Sequence, residues 1–256
     1  MMKMFLNHLA KLTLLSLLIA SHTALGMDPF EIQVYANDIN DPGKTGLEIH
    51  TNYVARGSET PAVFNGLADN HLWRNVLEFS HAISESVEFG LYYQTAFQND
   101  QGYYGGTKLR VKYFPKYEGK FFWGLNTEVG RAPVEFDPDE WGGELRPIFG
   151  YDGTLWLVSF NPILGFTFGK GENPPDFDPS IKIGRKYANN FMAGIEYYAE
   201  LGKIDRIINS ISEQTHYLFI AFDKEFGVNE LNFAVGRGVT PPANDWIVKF
   251  ILGLQF

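Results

Sequence analysis

Residues 246–256 read WIVKFILGLQF and decide the fold class. Successive side chains of a β-strand point to opposite faces, so this stretch has one wholly apolar face. That face carries Trp246, Val248, Phe250, Leu252, Leu254 and Phe256. An eleven-residue strand with aromatic residues along one face has the length of a tilted strand that crosses a bilayer. Trp246, Phe250, Leu254 and Phe256 are also expected to form the terminal signal for membrane assembly.

The same alternation of apolar and polar residues recurs upstream. It predicts twelve strands, at 47–54, 71–81, 86–97, 103–114, 120–130, 141–150, 154–168, 178–187, 190–201, 215–223, 228–237 and 246–256. Apolar residues face one side of these strands, and polar or small residues face the other. The prediction is an all-β fold, a transmembrane antiparallel β-barrel over residues 47–256 with the strands in up-and-down meander order.

The connections between these strands support a barrel. If the C-terminus is periplasmic, the periplasmic connections lie around Ser84, Tyr117, Asp152, Asn189 and Gly227, and all of them are short. The alternate connections include 55–70, 131–140, 169–177 and 202–214, which are longer. Bacterial outer-membrane barrels have this asymmetry between short periplasmic turns and longer external loops.

The N-terminus predicts export. Lys3 and Lys11 precede the apolar run Leu12 to Ala20, and small residues follow at positions 24 and 26. This order is typical of a signal peptide over residues 1–26, and the run is too short for a transmembrane helix. We therefore expect a bacterial outer-membrane protein, exported with a cleaved signal.

Composition excludes several classes of protein. The chain has no cysteine, which excludes a lipid-anchored lipoprotein and a disulfide scaffold. Its formal charge of −9 argues against nucleic acid as a partner. No nucleotide-binding or hydrolase motif is present, and we expect no cofactor.

Two segments depart from the strand pattern. Residues 27–46 include an alternating stretch from Phe30 to Tyr35, which we interpret as a periplasmic or lumen-docking segment. A thirteenth strand there would leave the N-terminus outside the cell. Residues 202–214 have isoleucines at helical spacing, which predicts a short amphipathic helix in an external loop.

The strand register predicts which charged residues line the lumen. The inward positive side chains are Arg74, Lys108, Arg110, Lys112, Arg146, Lys182, Lys186 and Lys249, and the inward negative ones are Glu48, Glu78, Glu88, Glu128, Glu144, Glu196 and Glu200. The two signs nearly balance. This pattern fits either an aqueous pore with charged walls or a narrow barrel closed by ion pairs.

Strands 154–168 and 215–223 are apolar on both faces. An apolar patch inside a barrel either guides a hydrophobic solute or seats the Phe30, Ile32 and Val34 edge of the N-terminal segment as a plug. We favour the plug. Pro162 has no N–H for the ladder and predicts a bulge or bend beside it.

Two groups of residues were weighed for chemistry. His50 and Asn52 share a strand face, as in barrel lipases that combine Ser, His and Asn, but no motif places a serine beside them. The acidic run 136–140 offers oxygen ligands for Ca²⁺ and is better explained as a solvated loop. We expect no catalytic residue and no metal site.

Several stretches resemble poorly characterised bacterial outer-membrane proteins. These stretches are 28–35, 46–54, 144–148, 161–164 and 196–198. That group resembles barrels named for the meta pathway of phenol degradation and often labelled transporters. The resemblance covers most of the chain after residue 26, and it implies location and class without a defined site.

Three functions remain open at this stage. The first is a pore or transporter for small solutes, hydrophobic ones included. The second is a plugged structural or adhesive barrel that acts through its external loops, and the third is an outer-membrane lipid hydrolase, which lacks a nucleophile. The expected partners are outer-membrane lipid and lipopolysaccharide, the barrel-assembly machinery and an unidentified solute.

Overall fold

The computed structural model describes residues 28–169 and 174–256. Twelve antiparallel strands follow one another around a closed barrel, which confirms the predicted fold class. The strands are β1 Thr45–Arg56, β2 Trp73–Ala82, β3 Val87–Gln98, β4 Gln101–Tyr113, β5 Phe121–Arg131, β6 Trp141–Asp152, β7 Trp156–Asn161 with Leu164–Thr167, β8 Asp176–Phe177 with Ser180–Tyr187, β9 Phe191–Glu200, β10 Thr215–Phe226, β11 Asn229–Gly238 and β12 Trp246–Gln255. No helix among the described residues is long and apolar enough to cross a membrane.

The barrel closes where the last strand pairs with the first. Leu47 lies opposite Leu254 and Tyr53 opposite Val248, in an antiparallel register. Beyond the end of β12, the Phe256 N–H donates to the Thr45 carbonyl at 3.0 Å. The Thr45 N–H donates to the Phe256 carbonyl at 3.1 Å. Closure pairs the first strand of the barrel wall with the last, as a strand-built membrane protein requires.

The outer wall is apolar and has tryptophans near both ends of the strands. Trp73, Trp141 and Trp246 begin strands at one end of the barrel, and Trp123 and Trp156 lie near strand starts at the other. All five indole rings are exposed on the outside. Such belts are typical of the two interfaces of a membrane-spanning barrel.

The two ends of the barrel differ in their connections. The C-terminus lies at the short-turn end, which is made by residues 83–86, 114–120, 153–155, 188–190 and 227–228. In the described part of the chain, the long-loop end is made by 57–72, 99–100, 132–140, 168–169, 174–175, 201–214 and 239–245. This asymmetry matches the expected one, apart from a tight two-residue turn at Asn99–Asp100 on the long-loop side.

The helix predicted in 202–214 is wrong. Gly202–Lys203 pairs with Arg206–Ile207 as a small β-hairpin, and only Ile211–Glu213 forms a single 3-10 turn. Gly202 has a φ of +90°, which an α-helix does not allow, and the Ile208 N–H bonds to the Leu201 carbonyl instead. Of the four isoleucines, Ile204 lies in the hairpin turn, Ile207 in a hairpin strand, Ile208 just after it and Ile211 in the 3-10 turn.

Pro162 interrupts its strand, as expected from its missing N–H. The ladder between β6 and β7 stops on either side of Pro147 and Pro162 and resumes in the same register. Three inward side chains of β7 before the break are buried, namely Leu157, Ser159 and Asn161. The inner face is therefore half polar, whereas the sequence pattern predicted it as wholly apolar.

Candidate functional site

Residues 28–40 lie inside the barrel, and we call this segment the plug. It runs from the long-loop end, where the Phe30 ring packs against Phe136, to the short-turn end, where Asn37 bonds to Tyr117 at 2.6 Å. Phe30, Ile32, Val34 and Tyr35 are each no more than 5% exposed. Apart from an internal turn at residues 28–31, its backbone makes no regular secondary structure.

Three apolar clusters hold the plug against the wall. Phe30 packs with Leu72, Val76, Tyr92 and Ala96. Ile32 and Val34 pack against the inner faces of β9 to β12 and β1, in a cluster with Val54, Tyr198, Tyr217, Phe219, Ala221, Ala234 and Ile247. Tyr35 packs with Phe114, Phe122, Ile148 and Leu157. The apolar inner patch of β10 thus covers the plug.

Gly105 makes room for the plug in the wall. It sits at a bulge in the pairing of β3 with β4, where Gly106 lies opposite Gln94 and Tyr104 opposite Thr95. A Cβ atom at Gly105 would lie 2.6 Å from the Phe30 ring, closer than real contacts allow. The bulge and the missing side chain let the ring reach the wall.

Wall side chains bind the main-chain carbonyl and amide groups of the plug. The Asn52 amide donates to the Phe30 carbonyl at 2.7 Å, and the Lys249 ammonium donates to the Ile32 carbonyl at 2.9 Å. Asn161 pairs with both main-chain groups of Tyr35, accepting its N–H at 2.7 Å and donating to its carbonyl at 3.0 Å. These bonds replace the ladder that a strand would have, because buried peptide groups need partners.

Tyr35 is the most closely surrounded residue of the plug. Its ring lies 4.5 Å from the Lys112 ammonium and 4.3 Å from the Arg146 guanidinium, in cation–π contacts. Its hydroxyl donates to Glu31 and lies 2.9 Å from the Tyr92 hydroxyl. Burial and the neighbouring Glu31 carboxylate raise the pKa of Tyr35 well above its usual value, so the hydroxyl stays protonated.

The plug also contributes negative charge to a positive part of the wall. The Asp28 carboxylate lies 2.7 Å from the Lys108 ammonium, and the Glu31 carboxylate lies 3.0 Å from the same ammonium. Burial alone would raise the pKa of Asp28, but the Lys108 charge and its hydrogen bonds outweigh burial and lower it. Asp38 is similar, because Lys112 at 3.4 Å outweighs its burial and lowers its pKa.

Several of the predicted lumen residues form ion pairs with one another. Arg110 lies 2.5 Å from Glu78 and 2.7 Å from Glu88, and Glu196 lies 2.5 Å from Lys249. Most of the set is buried, namely Arg74, Glu78, Glu88, Arg110, Lys112, Glu128, Arg146, Lys182, Glu196 and Lys249. Glu48, Lys108, Glu144, Lys186 and Glu200 are partly exposed. With the plug docked, charge pairing dominates the lumen.

A cavity of about 50 Å³ remains beside the plug at the long-loop end. Pro29, Ile32, Arg74, Asn244 and Ile247 are among its lining residues. This volume is enough for about one or two water molecules, given roughly 30 Å³ each in the liquid. It is too small for an organic solute while the plug is in place.

The plug anchors Asn52, Ser159 and Asn161 were missed in the sequence. The signal was present, because each is a polar residue at an inward position of its strand. Asn52 was considered with His50 for catalysis, but its amide binds plug carbonyls. Neither ring nitrogen of His50 has a hydrogen-bond partner among the described residues, so no serine hydroxyl is activated there.

Comparisons with known proteins agree with this geometry. No protein-family model and no curated protein sequence matches the chain. Among solved structures, it is similar to the COG4313 outer membrane channel from Pseudomonas putida F1, with a TM-score of 0.60, 12% identity and coverage of 88% of this chain and 100% of the channel. The fold is that of a bacterial outer-membrane barrel.

A second solved outer-membrane barrel gives the same result. The KdgM porin matches with a TM-score of 0.51 and 11% identity, over 82% of this chain and 98% of the porin. At such low identity these likenesses concern the fold alone. The relation to the meta-pathway barrels stays a prediction.

Proposed function

We propose that this protein is a pore of the bacterial outer membrane that passes small solutes and is closed by its own plug. In this proposal, the docked plug fills the lumen, and displacement of the plug opens a path along the charged inner wall. The path is about as wide as one extended peptide, so the solutes are small. The transmembrane barrel fold and the channels that share it support this class of function.

One observation carries the proposal, namely how the plug is bound. Among residues 28–169 and 174–256, no main-chain to main-chain hydrogen bond joins the plug to the barrel. Every polar contact between them uses a side chain, such as Asn52, Asn161 or Lys249 on the wall. The plug is therefore able to leave without breaking a strand ladder, so the barrel stays closed when the lumen opens.

The polar wall beneath the plug also suits water. In the docked state, charged and amide groups of the wall such as Lys108, Arg146 and Asn161 bind plug atoms. Removing the plug exposes these groups to the lumen. Exposed to the lumen, these groups would be hydrated, because buried polar groups without partners are costly. An inner wall evolved only for packing would have little need of so many polar side chains.

Single-channel conductance in planar bilayers tests the proposal. We would compare the unaltered protein with a variant lacking residues 28–40, which keeps the Lys44 to Asp41 and Gly43 to Ala82 main-chain bonds that lead into β1. The expected result is brief openings of the unaltered protein and sustained conductance of the deletion variant. Silence of a correctly folded deletion variant would overturn the proposal.

A reversible lock provides the matched control. Asn40 Nδ2 lies 2.8 Å from Ser80 Oγ, so Asn40→Cys with Ser80→Cys places two thiols between plug and wall. The natural chain has no cysteine, so the introduced pair has no competitor. Oxidation should abolish the brief openings, and reduction of the same sample should restore them.

The second candidate is a sealed barrel that acts through its loops. The dense ion pairing of the lumen favours it, since Arg110 with Glu78 and Glu88 would close the interior even without the plug. In that case the deletion variant would stay silent although folded. The same bilayer experiment therefore separates the two candidates.

A further inference from the structure

The inner wall beside the plug brings together an imidazole and two carboxylates. Glu48 and His50 are two residues apart on the inward face of β1, and Glu78 on β2 lies directly opposite Glu48. His50 Nε2 is 3.2 Å from Glu48 Oε2 and 3.6 Å from Glu78 Oε2. One ligand atom from each residue falls within 4.8 Å of the others, the one such group of three among the described residues.

These distances match the edges of a metal coordination tetrahedron. Zinc binds imidazole nitrogen and carboxylate oxygen at about 2.0–2.2 Å, so ligand atoms of a tetrahedral site lie roughly 3.3–3.6 Å apart. The two distances from His50 Nε2 are 3.2 Å and 3.6 Å. Little movement would be needed for the three side chains to hold one ion.

His50 is a buried side chain, 0% exposed, whose Nε2 faces the two carboxylates. These contacts have ion-pair distances without hydrogen-bond alignment, and Nδ1 has no hydrogen-bond partner in the described part of the chain. Buried polar groups in folded proteins almost always have partners. The nitrogen that faces the two carboxylates is therefore available as a ligand.

Neighbouring side chains orient the Glu78 carboxylate and leave net negative charge at the site. Glu78 Oε1 lies 2.5 Å from Arg110, so Oε2 remains to face His50, as outer contacts commonly orient metal ligands. Among the described residues, Glu78, Glu88 and Asp38 pair with two cations, Arg110 and Lys112, and Glu48 adds a fourth carboxylate beside His50. A divalent ion would neutralise the difference when His50 is neutral.

The plug supplies a fourth donor. The Gln33 amide lies 3.5 Å from Glu48 Oε2 through its Nε2, and its Oε1 is buried without a partner. The two ends of an amide are interchangeable by rotation about its last bond, which would turn the oxygen toward the site. Gln33 belongs to the plug, whereas the other three residues belong to the wall.

We propose that Glu48, His50 and Glu78 form a Zn²⁺ site. Gln33 adds the fourth ligand, and the bound ion thereby fastens the plug to the wall. The binding site stands on its own geometry, and only its role as a fastener rests on the proposed pore. A borderline ion suits this donor set, because imidazole favours zinc over the harder Ca²⁺ and Mg²⁺. The alternative arrangement is a protonated His50 paired with both carboxylates and no metal. The experiment must distinguish this arrangement from a zinc site.

Metal content after refolding tests the site without any conductance measurement. The untagged protein would be refolded with micromolar Zn²⁺, freed of unbound metal and measured by mass spectrometry. We expect about one zinc ion per chain, and at least about tenfold less in His50→Gln and in Glu48→Gln. His81→Gln is the matched control, because His81 lies on the outer face and contacts Thr45. Absence of zinc from the folded protein, or equal zinc in His50→Gln, would overturn the proposal.

X-ray absorption at the zinc edge covers the case in which a variant fails to fold. The unaltered protein should show nitrogen and oxygen ligands at about 2.0–2.2 Å, with an imidazole contribution. A site without imidazole would overturn the assignment to His50. Gln33→Ala tests the fastening of the plug, because this change should lower the affinity for zinc. Equal zinc affinity in Gln33→Ala and the unaltered protein would show that the plug contributes no ligand.

Discussion

At the scale of single residues, Tyr35 shows how one side chain is bound by several distant strands. Its hydroxyl contacts Tyr92 on β3, its ring lies against Lys112 on β4 and Arg146 on β6, and its backbone bonds to Asn161 on β7. None of these partners is near in sequence. In the sequence, Tyr35 is recognisable as the end of an alternating stretch and nothing more. Contacts that form through barrel closure leave no local pattern in the sequence.

We expect Tyr35→Ala to release the plug. Removing a buried aromatic ring costs about 3–5 kcal/mol, which would shift docking by at least about a hundredfold. Tyr35→Phe should cost less, about 1.5–3 kcal/mol, since it keeps the ring and loses the hydroxyl bonds, one of them to the Glu31 carboxylate. Open probability in planar bilayers measures both effects.

Tyr93→Ala is the control for this comparison, because Tyr93 is 49% exposed on the outer face of β3. It should leave the open probability unchanged. Equal open times for Tyr35→Ala and the unaltered protein would contradict the role given to Tyr35.

At the scale of elements, the strands were predictable and the plug contacts were not. The alternation of residues fixed nearly all strand positions, because each strand has one face in lipid and one in the lumen. The hairpin at Gly202–Ile207 was missed because isoleucine spacing alone does not separate a helix from paired short strands. The strand register predicted which charged residues face inward. Their ion pairs were not predictable, because each pair depends on which strands are neighbours in the closed barrel.

The plug is also the element expected to respond to pH. Asp28 and Asp38 have lowered pKa values while docked, because Lys108 and Lys112 outweigh their burial. A group whose pKa is lowered in the docked state stabilises docking above its undocked pKa of about 4. That stabilisation is lost as the pH falls through the docked pKa.

We therefore expect open probability to rise below about pH 4, measured in planar bilayers across an acid series. Asp28→Asn with Asp38→Asn should remove most of this rise, since the amides do not titrate. An unchanged acid response in the double variant would assign it to other carboxylates of the lumen.

At the scale of the whole molecule, the pairing of β12 with β1 closes the barrel, and Phe256 extends this pairing by one residue. The main-chain groups of Phe256 form two hydrogen bonds with Thr45, and its ring is exposed on the outside. The alternation at the C-terminus predicted this strand and its length. It did not show that Lys249, inward on the same strand, binds Glu196 and a plug carbonyl.

Deletion of Phe256 should impair membrane assembly more than Lys249→Gln does. The deletion removes the residue expected to act as the terminal aromatic signal and two main-chain bonds between Phe256 and Thr45, whereas Lys249 faces the lumen. The measurement is the fraction of heat-modifiable, membrane-inserted protein on gels. Phe256→Ala separates the ring from the backbone, and equal assembly of the truncated and full-length chains would refute the terminal-strand assignment.

The bond between the Lys249 ammonium and the Ile32 carbonyl also constrains the order of folding. Ile32 and Lys249 are 217 residues apart in the chain, so the plug is synthesised before β12. The plug therefore lacks part of its binding site until β12 has formed. Its complete docking follows the folding of β12 and does not precede it.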